Sequence, residues 1–373
     1  MFSSLKGFLT RHRNKLIIGG LMTGSFVVLT RYSQRKLREW QEREVRELLQ
    51  RTRRNQHFEA TERSCNQTIL DLSICLKNSI TKTLDTGSVV QQLRKGCNEK
   101  IACWNTLKSL AITRTAVVIY ATTMLVVLVR IELNLIGGLM FKNSQNPETH
   151  DNVSETEKKE YLSICSYLIS EGVNKLARLI HQKVNEVTSS VSLMDKLTLR
   201  DVEQIYWSIV SSVTADTKQD PIRNVTSYVI KKGSYNSANT MVVKMIQETM
   251  DLLDSEEVQN LMRTTMQSGF ALLIDNISEY FIDTSTRNIL STSSNSLALN
   301  STREKIFVDK GLTNGYMSLN KVTMPMAKII PIINGQVRDL PQSGDIALDW
   351  LQANIANDKF KALGANIYEA FSF

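Results

Sequence analysis

The sequence predicts an all-α protein: a single transmembrane helix near the N-terminus, followed by an elongated cytosolic bundle of long helices. Three observations lead there. Apolar residues recur at three- and four-residue intervals along most of the chain, the period of a helix face. Only 5 prolines and 16 glycines occur in 373 residues, too few to punctuate a fold of short strands and turns. Fifteen residues without a charge, 16–30 (LIIGGLMTGSFVVLT), stand between Lys15 and Arg31.

That run is the first element. As a helix it spans about 22 Å, short of a bilayer core of about 30 Å. Lys15 and Arg31 can reach back to the headgroups and lengthen the span. A cleaved signal peptide would end in small residues, but RYSQRKLR follows. A mitochondrial presequence would be amphipathic rather than continuously apolar. An uncleaved anchor over 16–33 fits best, flanked by Arg11, Arg13, Lys15 and Arg31. Four basic residues precede the run and nine lie in 31–54, so the positive-inside bias puts the body, 34–373, in the cytosol. Residues 1–63 hold 14 Lys/Arg and 6 Asp/Glu, a net of +8, and 64–373 hold 31 of each. The whole basic excess is therefore N-terminal. A nucleic-acid-binding body would carry a basic face of its own; the basic stretch 1–15 reads instead as a targeting signal.

Residues 34–54 alternate in charge sign, with i,i+4 pairs such as Arg35–Glu39 and Glu47–Arg51, and read as a solvated helix. Ile69, Leu72, Leu76, Ile80 and Leu84 form the next stripe, ended by Gly87. A short helix covers 89–94. Another covers 101–111, with Ile101, Trp104, Leu107 and Ala111 on one face. Residues 116–141 are the most apolar of the body. Arg130 and Glu132 would each cost about 2.5–3.5 kcal/mol at mid-bilayer, which favours a central bundle helix over a second span. A polar linker occupies 142–160. Helical stripes follow over 161–191 and 199–213, then a loop, 214–240, with Pro221 and Gly233. Helix 241–253 precedes helix 258–281, which Ser255 and two glutamates can cap. The Ser/Thr/Asn-rich start of 283–323 marks a loop. Pro325 and Pro331 argue against a regular helix over 324–336, which reads as an extended apolar strip on the bundle. Helix closes the chain over 346–371.

Chemistry is sparse. No phosphate-binding, nucleophile-elbow or zincin motif occurs. His12, His57, His150 and His181 lack ligand spacing, and the five cysteines lack a CxxC pair, which favours free thiols. Neither a catalytic residue, a cofactor nor a metal is expected. Gly137-Gly138 reads as a close helix contact. What remains is a surface. Trp104 follows Arg94, Lys95 and Lys100 and precedes Lys108, so it is either core or an aromatic anchor ringed by cations. An anchor of that kind would seat an acidic amphipathic helix.

Several segments resemble the peroxin three (peroxisomal biogenesis factor three) family. They are FLTRHRNK before the anchor, QRKLREWQERE after it, CNQT at 65–68, TRTAVVIYATTMLVVLVRIELNLIGG at 113–138, GFALLIDNISEYF at 269–281, AKIIPIINGQ at 327–336 and NIYEAFS near the end. The loops near 142–160, 214–240 and 283–323 diverge. The resemblance implies a peroxisomal membrane protein with its N-terminus in the matrix, one span and a cytosolic helical body. It implies that the body docks peroxin nineteen, the soluble chaperone of newly made peroxisomal membrane proteins, and so handles cargo indirectly. The matching groove positions are Leu93, Lys100, Trp104, Leu107 and Lys108, with Lys328 nearby. A mitochondrial or other organelle membrane protein without a receptor role is the alternative.

Overall fold

The computed structural model describes residues 13–96, 98–145, 153–231, 240–281, 322–338 and 344–372, with side chains from residue 28 onward. Arg11, His12, Cys97, His150, Gly233 and nearly all of the loop 283–323 lie outside these. The chain divides into two compact units, Met1–Glu59 and Ala60–Phe373.

The first unit contributes most of helix α1, Arg13–Thr83. Its side chains from 28 to 53 are solvent-exposed. Lys36 approaches Glu39 at 4.0 Å, and Arg46 Nε donates to the Glu42 carbonyl at 3.1 Å.

In the second unit α1 ends at Thr83, not at Gly87. Asp85 accepts from Ser88 N and starts α2, Thr86–Lys95, so Gly87 lies inside that helix. An N-cap carboxylate outweighs one helical glycine, which costs only about 1 kcal/mol. Helix α3 is a single element, Lys100–Gln145, where the sequence suggests two. The polar triplet 113–115 mimics a break, yet each member has a hydrogen-bond partner on another helix. Arg114 Nη2 donates to Asn334 O, Asn334 Oδ1 and Val337 O, and Thr115 shares a 2.9 Å hydrogen bond with Tyr206. Helix α3 is long and apolar enough to cross a membrane, but its most apolar stretch is enclosed by the rest of the bundle.

The stripe over 161–191 resolves into α4 (Glu155–Leu162), α5 (Ile164–Tyr167), one π-helical turn (Leu168–Gly172) and α6 (Val173–Thr188). A β-carbon on Gly172 would stand 2.1 Å from the Tyr228 carbonyl, so only glycine lets the chains meet there. Strand β1 (Lys196–Leu197) precedes α7, Leu199–Ala215, which opens with a Thr198/Asp201 capping box. The stretch 214–240 is not all loop, because α8, Val225–Val229, lies inside it. Helices α9 (Thr240–Asp254) and α10 (Glu256–Ser278) follow, the latter capped by Ser255.

Strand β2 (Met324–Pro325) pairs antiparallel with β1, Lys196 opposite Pro325 and Leu197 opposite Met324. The apolar strip is then helical: α11, Met326–Asn334, contains Pro331. Pro331 faces solvent while Ile329, Ile330 and Ile333 are buried. Two of the first-turn amides are satisfied from outside the helix, Met326 N by Asp195 O and Ala327 N by Leu193 O. The burial of one apolar face thus overrides a single missing backbone donor. Helices α12 (Ile346–Ile355) and α13 (Asp358–Ser372) close the chain. Gly137 and Gly138 face Thr61 and the α13 backbone, where a β-carbon would come within 2.9 and 2.8 Å of a neighbour.

Polar groups sit deep in this bundle. Arg130 Nη1 donates to Glu62 Oε2, and Arg130 Nη2 to Asn66 Oδ1 at 3.0 Å. Asn134 Nδ2 reaches Glu62 Oε1 at 3.3 Å. On another face of α3, Cys165 Sγ donates to Glu132 Oε2 at 3.0 Å, and Tyr161 pairs with Thr249.

Candidate docking site

The first turns of α3 emerge from the bundle, and the residues singled out in the sequence divide there into three groups. Lys100 is exposed. Trp104 is half-buried and packs against the core. Leu107, one turn further in, is buried at 3% exposure and belongs to the core. Helix α2 packs on α3 and brings up Leu93, half-buried, with Arg94 and Lys95 exposed in its last turn. Lys328 is exposed on the first turn of α11, which also packs on α3.

Lys108 does not belong to the rim. It is 6% exposed, and its Nζ donates to Thr188 O at 3.1 Å and Val191 O at 2.7 Å. It closes the C-terminal end of α6, where carbonyls lack helical donors. Burial pulls its pKa below the ordinary lysine value, against the raising effect of Asp195. The sequence reading gave this cation a part in steering a partner; the structure gives it a structural one. Replacing it with alanine should therefore cost about 1–3 kcal/mol of stability by taking the ammonium from the Val191 carbonyl, while Thr188 O keeps the Val191 amide. The association rate of a partner should barely respond. A large salt-dependent loss of association rate, with the denaturation midpoint unchanged, would return Lys108 to the rim.

Ile101 is not on the buried face with Leu107 and Ala111. It is 73% exposed, and Met194, after α6, is 80% exposed. Both border one groove of about 570 Å³, floored by Asn105, Lys108, Ser109 and Asn185. Ser109 donates to Asn185 Oδ1 and stands 3.3 Å from His181 Nδ1, as does Thr113. Burial lowers the His181 pKa, which favours the neutral ring. The groove thus offers apolar lips and a polar floor whose cation, Lys108, is already engaged by backbone carbonyls. Met194 was missed because a methionine inside SSVSLMDK carries no periodic signal. Of the residues that flank the apolar run, Arg31 is exposed, Arg13 and Lys15 stand in the first turn of α1, and Arg11 precedes the described residues.

A family model described as Peroxin-3 matches residues 7–103, 96–140 and 138–370 of this chain. Peroxisomal biogenesis factor 3 of Bos taurus is 31% identical over 394 aligned positions, covering 100% of this chain and 98% of that protein. The protein of the same name from Homo sapiens is 30% identical with the same coverage. Peroxisome biogenesis protein 3-2 of Arabidopsis thaliana is 22% identical, covering 73% of this chain and 82% of its own length.

Proposed function

The chain belongs to the Peroxin-3 family, and from that premise we propose that it acts in peroxisome biogenesis as a membrane-anchored docking receptor. Residues 16–33 anchor it in the peroxisomal lipid bilayer as a single span, with Arg11, Arg13, Lys15 and Arg31 as its charged flanks. The body stays cytosolic and receives peroxin nineteen, and through it newly made membrane proteins. An amphipathic helix of that partner lays its apolar face on Trp104 and Leu93, with the buried Leu107 supporting Trp104 from below, and its acidic rim meets Lys100 and Lys328.

The observation that carries this reading is Trp104 itself. It is an aromatic side chain left partly accessible on a helix whose next turns are buried, with Lys100 exposed one turn before it. Large rings at the centre of an interface hold a disproportionate share of binding energy. Exposed cations around it set encounter rate and salt dependence more than affinity. Trp104→Ala should weaken partner binding by about 2 kcal/mol or more, roughly 30-fold, in a calorimetric titration. Unchanged affinity, with the helical circular dichroism intact, would move the site elsewhere.

A further inference from the structure

Between α1, α3 and the start of α12 the bundle keeps a cavity of about 150 Å³. It shares no residue with the groove bordered by Ile101 and Met194. Its walls are aliphatic: Leu76 and Ile80 from α1, Val118 from α3, and Leu348 and Leu351 from α12. The side chains that α3 and α12 turn toward α1 include Val118, Thr122 and Ala347, all too short to fill the space. Ile74, 63% exposed, stands at the edge.

Two polar features are built into this apolar pocket. The first is an ion pair: Lys77 Nζ meets Asp345 Oδ2 at 2.6 Å, with side-chain exposures of 17% and 0%. Asp345 Oδ1 accepts from Ala347 N at the start of α12, so both carboxylate oxygens are engaged and the pair is neutral as a whole. The second is Thr122. It is 5% exposed and lines the cavity, and its hydroxyl has no hydrogen-bond partner among the described residues. Its neighbour Thr123 takes the usual course for a helical threonine and donates to Ile119 O at 2.8 Å.

We propose that this cavity binds a small neutral molecule, an apolar body of about six carbons with one hydroxyl that pairs with Thr122. Size sets the body, because an aliphatic cavity of about 150 Å³ admits a benzene ring. Charge sets the polar group. A carboxylate would face Asp345 and an ammonium would face Lys77, and either would have to break the existing pair to be neutralised. A hydroxyl both donates and accepts, so it satisfies Thr122 and leaves that pair intact. Water alone fits less well, because aliphatic walls give it too few polar partners. The inference is independent of the receptor reading, since none of the residues assigned to partner docking lines the cavity.

The test is disulfide trapping on the full chain in detergent, with Cys75, Cys97 and Cys103 changed to serine; Cys65 and Cys165 are buried. Asn78→Cys puts a thiol at the edge of the cavity, and Gln182→Cys, on the exposed face of α6, is the reference. Each is equilibrated with para-(mercaptomethyl)phenol or with benzyl mercaptan against rising mercaptoethanol, and intact mass gives the fraction trapped. The phenol should withstand several-fold more mercaptoethanol at Asn78→Cys than at Gln182→Cys. At Asn78→Cys it should also outlast the benzyl group several-fold. Adding Thr122→Val, close in volume, should erase the second difference, and adding Ala347→Leu, which narrows the cavity, should erase the first. Equal retention of the phenol at the two positions overturns the proposal. So does a phenol held no better than the benzyl group, which would leave Thr122 without a role. Undiminished trapping in Ala347→Leu, with its circular dichroism intact, overturns it as well.

Discussion

Arg130→Ala will lower the unfolding free energy of the body by about 3–5 kcal/mol, the usual consequence of breaking a buried ion pair by removing one partner. Arg130 and Glu62 have side-chain exposures of 1% and 5%. Deleting the guanidinium leaves the Glu62 carboxylate in the bundle with only Asn134 for company. Nor can the site relax easily: a β-carbon on Gly364 of α13 would already lie 2.9 Å from Glu62 Oε1 and 2.7 Å from Asn134 Nδ2. The double variant Arg130→Met/Glu62→Gln removes both charges and should recover most of the loss, because a buried pair gives little net stability over an apolar replacement. Urea denaturation followed by circular dichroism reads both. A single variant within about 1 kcal/mol of the parent would mean that water reaches the pair.

Glu132→Gln should stabilise the protein, and increasingly so as pH rises. Burial pushes the Glu132 carboxyl from 4.5 up to about 8, against the smaller lowering effect of the Cys165 hydrogen bond. Its Oε1 has no hydrogen-bond partner among the described residues. The sign follows from proton counting. Between about pH 4.5 and 8 the folded chain holds a proton that the unfolded chain releases, so stability falls as pH rises through that window. Below it the two states bind equally and the group has no effect. At pH 7 the deficit is about 3 kcal/mol, from roughly 2.5 units at 1.36 kcal/mol each. Glutamine keeps an oxygen for the Cys165 thiol and has no proton to lose. The two proteins should therefore unfold alike near pH 4.5 and diverge above it. A difference that does not vary with pH would overturn this account of Glu132.

Arg130 and Glu132 also show how far the sequence could be read. Their cost at mid-bilayer was visible from composition, and it pointed to a core helix rather than a second span. Their partners were not visible: Glu62 lies 68 residues from Arg130, and Cys165 lies 33 from Glu132. The same limit explains Lys108. Its place beside Trp104 in the sequence suggested a rim, while the carbonyls that take its ammonium come from the end of α6, 80 and 83 residues away. Trp104, Leu93, Lys100 and Lys328 could be grouped as a candidate site chiefly through family resemblance, because a partly buried aromatic and a core aromatic share one helical period.

Local signals by themselves determined that the chain is helical, that Ser255 opens a helix, that Gly137-Gly138 marks a close contact and that the basic excess is N-terminal. Each depends on residues within a turn or two of one another, where spacing and capping chemistry suffice. The tertiary structure alone decided that 324–336 is largely a helix despite Pro331, that α3 is one unbroken element, and which charges face solvent. Those outcomes turn on whether a missing or extra polar group finds a partner, and the partners come from chain segments that only folding brings together.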